Sequence, residues 1–219
     1  MSRKKTSGKN KLTTTIVCIV LLMACVGFAL LFGGQLPQFR TYGFAHEVPD
    51  SEQQLRLKLV ETASSWLGSN ETDGSHQAII DLYNNHEPLA QGYRVKYDDQ
   101  WCATFVSASA IEAKLTQIIP TECGCQRQIE LFQELDAWQE ADDHIPLPGD
   151  IIYYCQNCTD NINDCIGWSD HVGIVVGTSD NWIKVIEGNL GDRVAYRYIK
   201  ADDLIIRGYA LPNYSSLIE

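Results

Sequence analysis

Cys102 is the residue of this sequence best suited to act as a nucleophile. It lies in the segment WCATFV (101–106), where a helix is predicted to begin after the polar residues 97–100. A thiol at the start of a helix meets the positive end of the helix dipole and unpaired backbone N–H groups, and both favour the reactive thiolate. A cysteine beside aromatic and β-branched neighbours is also typical of a buried structural residue. This segment alone therefore leaves both interpretations open.

A base for this thiol is available in His171, which opens the predicted strand HVGIV. Neutral imidazole can accept the proton of a thiol and later return it to a leaving amine. Glu187 and Asn189 end the next predicted strand, and strand alternation would place both on one face, where antiparallel pairing could bring them near His171. One of the two could then fix the imidazole tautomer, as the third member of a nucleophile triad does.

The elements that must position these residues change in type along the chain. The first half of the globular part has helical periodicity, and the second half, from Pro148 onwards, consists of short β-rich runs separated by turn residues. Helices followed by strands predict an α+β fold. The predicted helices cover about 52–67, 75–85, 102–115 and 127–139, and the predicted strands cover 150–154, 171–177, 182–187 and 204–210.

Four motifs, taken in chain order, resemble the CHAP domain (cysteine, histidine-dependent amidohydrolase/peptidase), a papain-like family of bacterial and phage cell-wall hydrolases. They are WCATFV (101–106), PGDII (148–152), HVGIV (171–175) and EGN (187–189), and the resemblance extends over residues 50–213. Each motif alone is weak, but four in this order are fairly specific. The resemblance implies N-terminal helices packed on a C-terminal antiparallel sheet, in a papain-like arrangement.

The resemblance also implies a reaction, which is the hydrolysis of an amide bond in peptidoglycan. The bond would be the N-acetylmuramoyl-L-alanine linkage or one in the stem or cross-bridge peptide. Cys102 would be the nucleophile, His171 the general base and then acid, Glu187 the group that orients it, and Asn189 a polar contact to the imidazole or substrate. The backbone N–H of Cys102 would hold the oxyanion, with a side chain from 99–100 as a further candidate. No metal or organic cofactor is required.

The N-terminus predicts where the chain is located. Residues 16–32 are an unbroken apolar run, and the five charged residues before it are all basic. A run of 17 apolar residues is long enough for one crossing of a bilayer. We therefore predict a cytoplasmic tail (1–14), a transmembrane anchor (15–34), a linker (35–49) and an extracytoplasmic catalytic domain (50–219). The alternative is a signal peptide whose cleavage would release a secreted enzyme.

The charge of the chain argues against nucleic acid as a partner. The net charge is −11, and beyond residue 34 the chain carries 12 basic against 28 acidic residues, a net charge of −16. Such an acidic body repels a phosphate backbone unless its charges are strongly patterned, and no basic stripe follows residue 40.

The remaining cysteines leave several structural states open. Cys18 and Cys25 lie in the apolar run. Excluding Cys102 leaves an odd number, so complete disulfide pairing within the chain is impossible. A structural zinc site, one or two disulfides, and free thiols are the alternatives, and a location outside the cell favours oxidation. The five residues concerned are Cys123, Cys125 and the more closely spaced set Cys155, Cys158 and Cys165, which has the spacing of a zinc knuckle.

Two functions other than hydrolysis remain open from the sequence. The chain could be a catalytically inactive module that binds wall peptides or an envelope protein. It could also be an anchored interaction module whose Cys-rich loop is a redox or metal switch and whose acidic surface docks a basic partner. Within enzymes, an amine in place of water would turn the same acyl-thioester chemistry into transpeptidation.

Overall fold

The computed structural model describes residues 48–140, 144–156 and 168–218. All of them belong to one structural unit, Phe39–Glu219. The predicted tail (1–14), the predicted anchor (15–34) and nearly all of the predicted linker (35–49) lie outside the described residues. None of the described helices is both long enough and apolar enough to span a bilayer.

The described residues form an α+β fold whose helices precede most of its strands, as the sequence predicts. All four predicted helices are confirmed, although α4 ends five residues earlier than predicted. It stops because the residues that follow it enter the sheet instead of continuing the helix. The helices are α1 (Asp50–Ser65), α2 (Gln77–Asn84), α3 (Cys102–Ala113) and α4 (Cys125–Glu134), with short 3₁₀ turns at Ala90–Gly92 and Tyr214–Leu217.

Six antiparallel strands form a single sheet in the order β1-β6-β2-β3-β4-β5. The four predicted strands are confirmed, and β1 and β5 are additional. The first of these has only three residues and lies where the fourth helix was predicted to end, which explains why periodicity did not reveal it. The strands are β1 (Trp138–Glu140), β2 (Ile151–Tyr154), β3 (His171–Ser179), β4 (Trp182–Glu187), β5 (Ala195–Lys200) and β6 (Ile206–Ala210).

Helix α3 runs through the middle of the core. Every residue from Cys102 to Ala110 is buried, and the helix contacts α1, α2 and β3. A helix that is covered on all sides needs small side chains, and this one is rich in Ala and Ser. Its buried polar groups are partly satisfied by the backbone, since Ser107 Oγ donates to the Glu122 carbonyl at 2.7 Å. The N-terminus of α3 is therefore held rigidly against the sheet.

Two glycines allow β3, β4 and α3 to approach one another closely. A Cβ on Gly173 would lie 2.6 Å from Glu187 Cγ, so the absence of a side chain there makes room for Glu187. A Cβ on Gly188 would lie 2.7 Å from Phe105 Cγ and 3.0 Å from the Trp101 ring. The distances of 2.6 and 2.7 Å are too short for a real Cβ, so larger residues would push the end of β4 away from β3 and α3.

Candidate active site

Cys102 is the first residue of α3, as the sequence predicts. The preceding residue, Trp101, makes no capping bond with its side chain. The backbone N–H of Ala103 interacts favourably with a negatively charged sulfur. The thiol is 5% exposed. The helix dipole and this N–H both stabilise negative charge on the sulfur.

His171 and Glu187 lie side by side, one at the start of β3 and the other at the end of β4. His171 Nε2 is 2.8 Å from Glu187 Oε2, and the Glu187 side chain is fully buried. His171 also interacts electrostatically with the Cys102 thiol. Because Nε2 is bonded to the carboxylate, Nδ1 is the ring nitrogen left to face the thiol. The three side chains thus interact in the order Cys102, His171, Glu187, and the last two are joined by a hydrogen bond.

The pKa values of the thiol and the imidazole are shifted in opposite directions. The pKa of Cys102 is lowered to about 5, because hydrogen bonds from Cys125, His171 and the Ala103 amide outweigh the effect of burial. Burial lowers the pKa of His171, but hydrogen bonds and charge interactions with Cys102 and Glu187 outweigh it and raise that pKa to about 9. Between these values the pair exists as thiolate and imidazolium, which is the reactive form of a cysteine nucleophile.

Asn189 does not lie where strand alternation predicted. Strand β4 ends at Glu187, and Asn189 adopts a left-handed conformation with φ 55°, so the alternation does not extend to it. Its amide Nδ2 donates to Gln100 Oε1 at 3.0 Å. Among the described contacts Asn189 is therefore tied to the segment that precedes Cys102, and no bond to the imidazole is seen.

Asp99 and Gln100, the two side chains considered as donors to the oxyanion, differ in whether they can donate a hydrogen bond. The Asp99 carboxylate accepts from the Tyr93 hydroxyl at 2.7 Å and from the Lys96 amide at 2.8 Å. These bonds, that of the Lys96 amide first, lower the pKa of Asp99. An ionised carboxylate has no proton to donate to an oxyanion. Gln100 accepts through its oxygen, which leaves its amide N–H groups as donors.

Arg197 is a site residue that the sequence did not reveal. Its Nε lies 2.6 Å from Glu187 Oε1, so the buried carboxylate is shared between a guanidinium and the imidazole. The Tyr154 ring stacks against His171 at a centroid distance of 5.9 Å and an interplanar angle of 26°, and the guanidinium of Arg197 lies 5.2 Å from the centre of the same ring. The signal that could have indicated Arg197 is the alternating segment AYRYIK (195–200), which forms the unpredicted strand β5.

A second thiol lies directly beside the nucleophile. Cys125 Sγ is 3.6 Å from Cys102 Sγ, and Cys125 is the first residue of α4. The sequence had grouped Cys125 with zinc or disulfide candidates, and nothing in the local pattern placed it at the active site. Cys102, Cys123 and Cys125 are all free thiols.

The zinc alternative is not supported at Cys155, because this residue is in a disulfide bond and so offers no thiolate. Cys158 and Cys165 lie outside the described residues. Within the described part of the chain, no group of three or more His, Cys, Asp or Glu side chains is arranged to hold a metal ion.

A cavity of about 650 Å³ lies between α2 and the segment 94–98. Its lining includes His76, whose ring lies 5.7 Å from that of Trp101. Neither Cys102 nor His171 lines it.

No protein-family model, curated protein or solved structure matches this chain. The interpretation of the site therefore depends on the geometry of its own residues.

Proposed function

We propose that this protein is a cysteine hydrolase of amide bonds that acts through an acyl-enzyme. The observation that carries the proposal is the chain of contacts from Cys102 at the N-terminus of α3, through His171, to the fully buried Glu187. A thiolate, an imidazolium and a carboxylate in this order are the groups that acyl transfer from an amide requires.

The reaction would begin with attack of the Cys102 thiolate on the amide carbonyl. The charge that develops on the oxygen would be held by the backbone N–H of Cys102 and by the amide of Gln100, which Asn189 orients. The His171 imidazolium would then give its proton to the leaving amine. In the second half-reaction neutral His171 would take a proton from water, which would attack the thioester and release the acid. None of these steps requires a metal or an organic cofactor.

The resemblance to the CHAP domain supplies the substrate class, which we propose to be peptidoglycan. The arrangement of the site supports a papain-like fold, because the nucleophile comes from a helix N-terminus and its base and orienting residue from adjacent antiparallel strands. We further propose that residues 15–34 anchor the enzyme in the membrane and that the catalytic domain faces the cell wall. A single anchored hydrolase is suited to local opening of the wall.

Mass spectrometry of purified peptidoglycan after incubation with the full-length chain under mild reduction tests the proposal. We expect new muropeptides with the wild type, none with Cys102→Ala or His171→Ala, and unchanged activity with Cys123→Ala, which removes a free thiol away from the base. The free ends of the fragments would distinguish an amidase from an endopeptidase. Intact peptidoglycan after incubation with a folded wild-type chain would overturn the proposal and favour a wall-peptide binding module. Equal activity in Cys102→Ala would refute the assignment of the nucleophile.

A further inference from the structure

The Cys102–Cys125 pair has a geometry that the hydrolytic mechanism does not require. The two sulfurs are 3.6 Å apart, and each belongs to the first residue of a helix. A disulfide needs a sulfur separation of about 2.0 Å, so closing the bond requires movements of about 1.5 Å shared between two side chains. The pair is therefore close to bonding distance before any backbone change.

The space beside the residue that precedes Cys125 is open. Gly124 precedes Cys125, and the position of its missing side chain has no heavy atom within 4 Å. The other free thiol of this loop, Cys123, interacts electrostatically with Tyr83 and Glu122 instead. The loop thus presents one thiol to Cys102 and keeps the other away.

The two thiols differ in protonation, as an attacking and a resolving thiol should. The pKa of Cys102 is lowered to about 5, so its sulfur is a thiolate at neutral pH. The pKa of Cys125 is raised well above its ordinary value, because it donates its hydrogen bond to Cys102 and is buried beside that negative charge. Oxidants of the peroxide class react with the thiolate and not with the thiol.

We propose that Cys102 and Cys125 form a peroxide-responsive disulfide site that reversibly switches off the nucleophile. The Cys102 thiolate attacks one oxygen of hydrogen peroxide, the O–O bond breaks, and a sulfenic acid and hydroxide form. The Cys125 sulfur then attacks the sulfenic sulfur, and the departing hydroxyl leaves as water after taking up the Cys125 proton. In total, one thiolate, one thiol and one hydrogen peroxide give one disulfide, one water and one hydroxide, and the hydroxide becomes a second water by taking the proton of the His171 imidazolium.

The disulfide would have two consequences for the protein. A bonded Cys102 sulfur has no thiolate with which to attack an amide, so hydrolysis stops. The disulfide also removes the sulfenic acid before it can be oxidised irreversibly to the sulfinic acid. A thiol reductant would restore the active thiolate by exchange.

Peptide mapping of the full-length chain tests the site without any assay of hydrolysis. The protein is first reduced, then treated with hydrogen peroxide, alkylated and digested with trypsin without reduction. Trypsin cleaves after Lys96, Lys114 and Arg127, so Cys102 falls in peptide 97–114 and Cys125 in peptide 115–127. Cys125→Ser removes the resolving thiol, and Cys123→Ser is the matched control from the same peptide.

We expect the linked peptides in the wild type and in Cys123→Ser, with loss of two hydrogen masses, and no link in Cys125→Ser. In Cys125→Ser, Cys102 should instead be recovered as the sulfinic acid, and thiol reductant should not restore it. A wild-type chain whose Cys102 becomes sulfinic acid without any link would overturn the proposal. A link that persists in Cys125→Ser and disappears in Cys123→Ser would show that Cys123 is the residue that bonds to Cys102. That result would also refute the proposal.

This readout separates the redox site from the hydrolytic function. If the peptides link but the wild type never releases muropeptides, the disulfide site stands and the proposed function falls. If muropeptides are released and no link forms, the proposed function stands and the disulfide site falls. The wild-type and Cys123→Ser results decide the proposal even if Cys125→Ser does not fold.

Discussion

Replacing Glu187 by Gln removes the charge of the orienting residue and keeps its shape. The carboxylate is fully buried and lies 2.8 Å from His171 Nε2 and 2.6 Å from Arg197 Nε. A glutamine can present its oxygen to only one of these two groups and must turn its amide nitrogen toward the other. The imidazolium therefore loses a charged acceptor, and we expect its pKa to fall.

The size of this effect follows from the pKa of His171, which rises from 6.5 to about 9 in the folded protein. At 1.36 kcal/mol per pH unit this rise stabilises the imidazolium by about 3 kcal/mol. Cys102 and Glu187 both contribute to this rise, Cys102 first, so Glu187 supplies only part of it, on the order of 1–2 kcal/mol. Because the pKa values of about 5 and about 9 are far apart, this loss leaves the ion pair dominant near neutral pH. We therefore expect kcat/KM to change little there and to fall at alkaline pH. Loss of Cys102 or His171 should abolish turnover.

The pH dependence of kcat/KM shows in which direction Glu187→Gln moves the acid and alkaline limits of activity. The active ion pair needs an ionised Cys102, which is lost as pH falls through about 5, and a protonated His171, which is lost as pH rises through about 9. In Glu187→Gln the lower pKa of His171 moves the alkaline limit of activity to about pH 8. The weaker imidazolium also moves the acid limit upward, so the profile narrows from both sides.

The first assay measures kcat/KM for a soluble muropeptide across roughly pH 4–10, the range in which both groups titrate. The second measures the rate at which iodoacetamide alkylates Cys102 over the same range. Glu130→Gln is the matched control, because its carboxylate is half exposed and pairs only with Arg127 on the surface. Thermal melting shows whether each variant is folded. An alkaline limit that stays near pH 9 in folded Glu187→Gln would refute the argument that Glu187 sets the ionisation of His171.

Three further predictions concern the groups around this pair. Cys125→Ala removes a hydrogen-bond donor to the Cys102 thiolate, so the pH dependence of Cys102 alkylation should move to higher pH. Cys125→Ser keeps a donor and should move it less. A Cys125→Ala profile equal to that of the wild type would contradict this prediction. Arg197→Met leaves Glu187 without its guanidinium and should cost about 1.5–3 kcal/mol in the free energy of unfolding by urea; an unchanged midpoint would show that the ion pair contributes nothing. Gly188→Ala forces a methyl group into the aromatic residues at the start of α3 and should cost about 1–3 kcal/mol, whereas Gly124→Ala, where the space is open, should change stability by less than about 0.5 kcal/mol.

Local pattern was sufficient to predict most of the elements. Helices α1 to α3 were predicted to within about two residues, because each combines a long periodic run with a clear end signal. Strands β2, β3, β4 and β6 are short β-rich runs bounded by turn residues. The elements that escaped prediction have weaker local signals, since β1 has three residues and β5 places charged and aromatic side chains on its exposed positions.

The residues of the site divide in the same way into those that the local sequence pattern predicted and those that it did not. The sequence by itself determined Cys102 at a helix start, His171 at a strand start and Glu187 at a strand end, because each position follows from the boundary of one element. Only the tertiary structure decided that Arg197 shares the carboxylate, that Asn189 bonds Gln100, and that Cys125 lies beside the nucleophile. These contacts depend on which strands pair, on their register and on how two helix N-termini meet. Such long-range packing leaves no periodic trace in the chain, since each partner alone is an ordinary polar residue or thiol in its own segment.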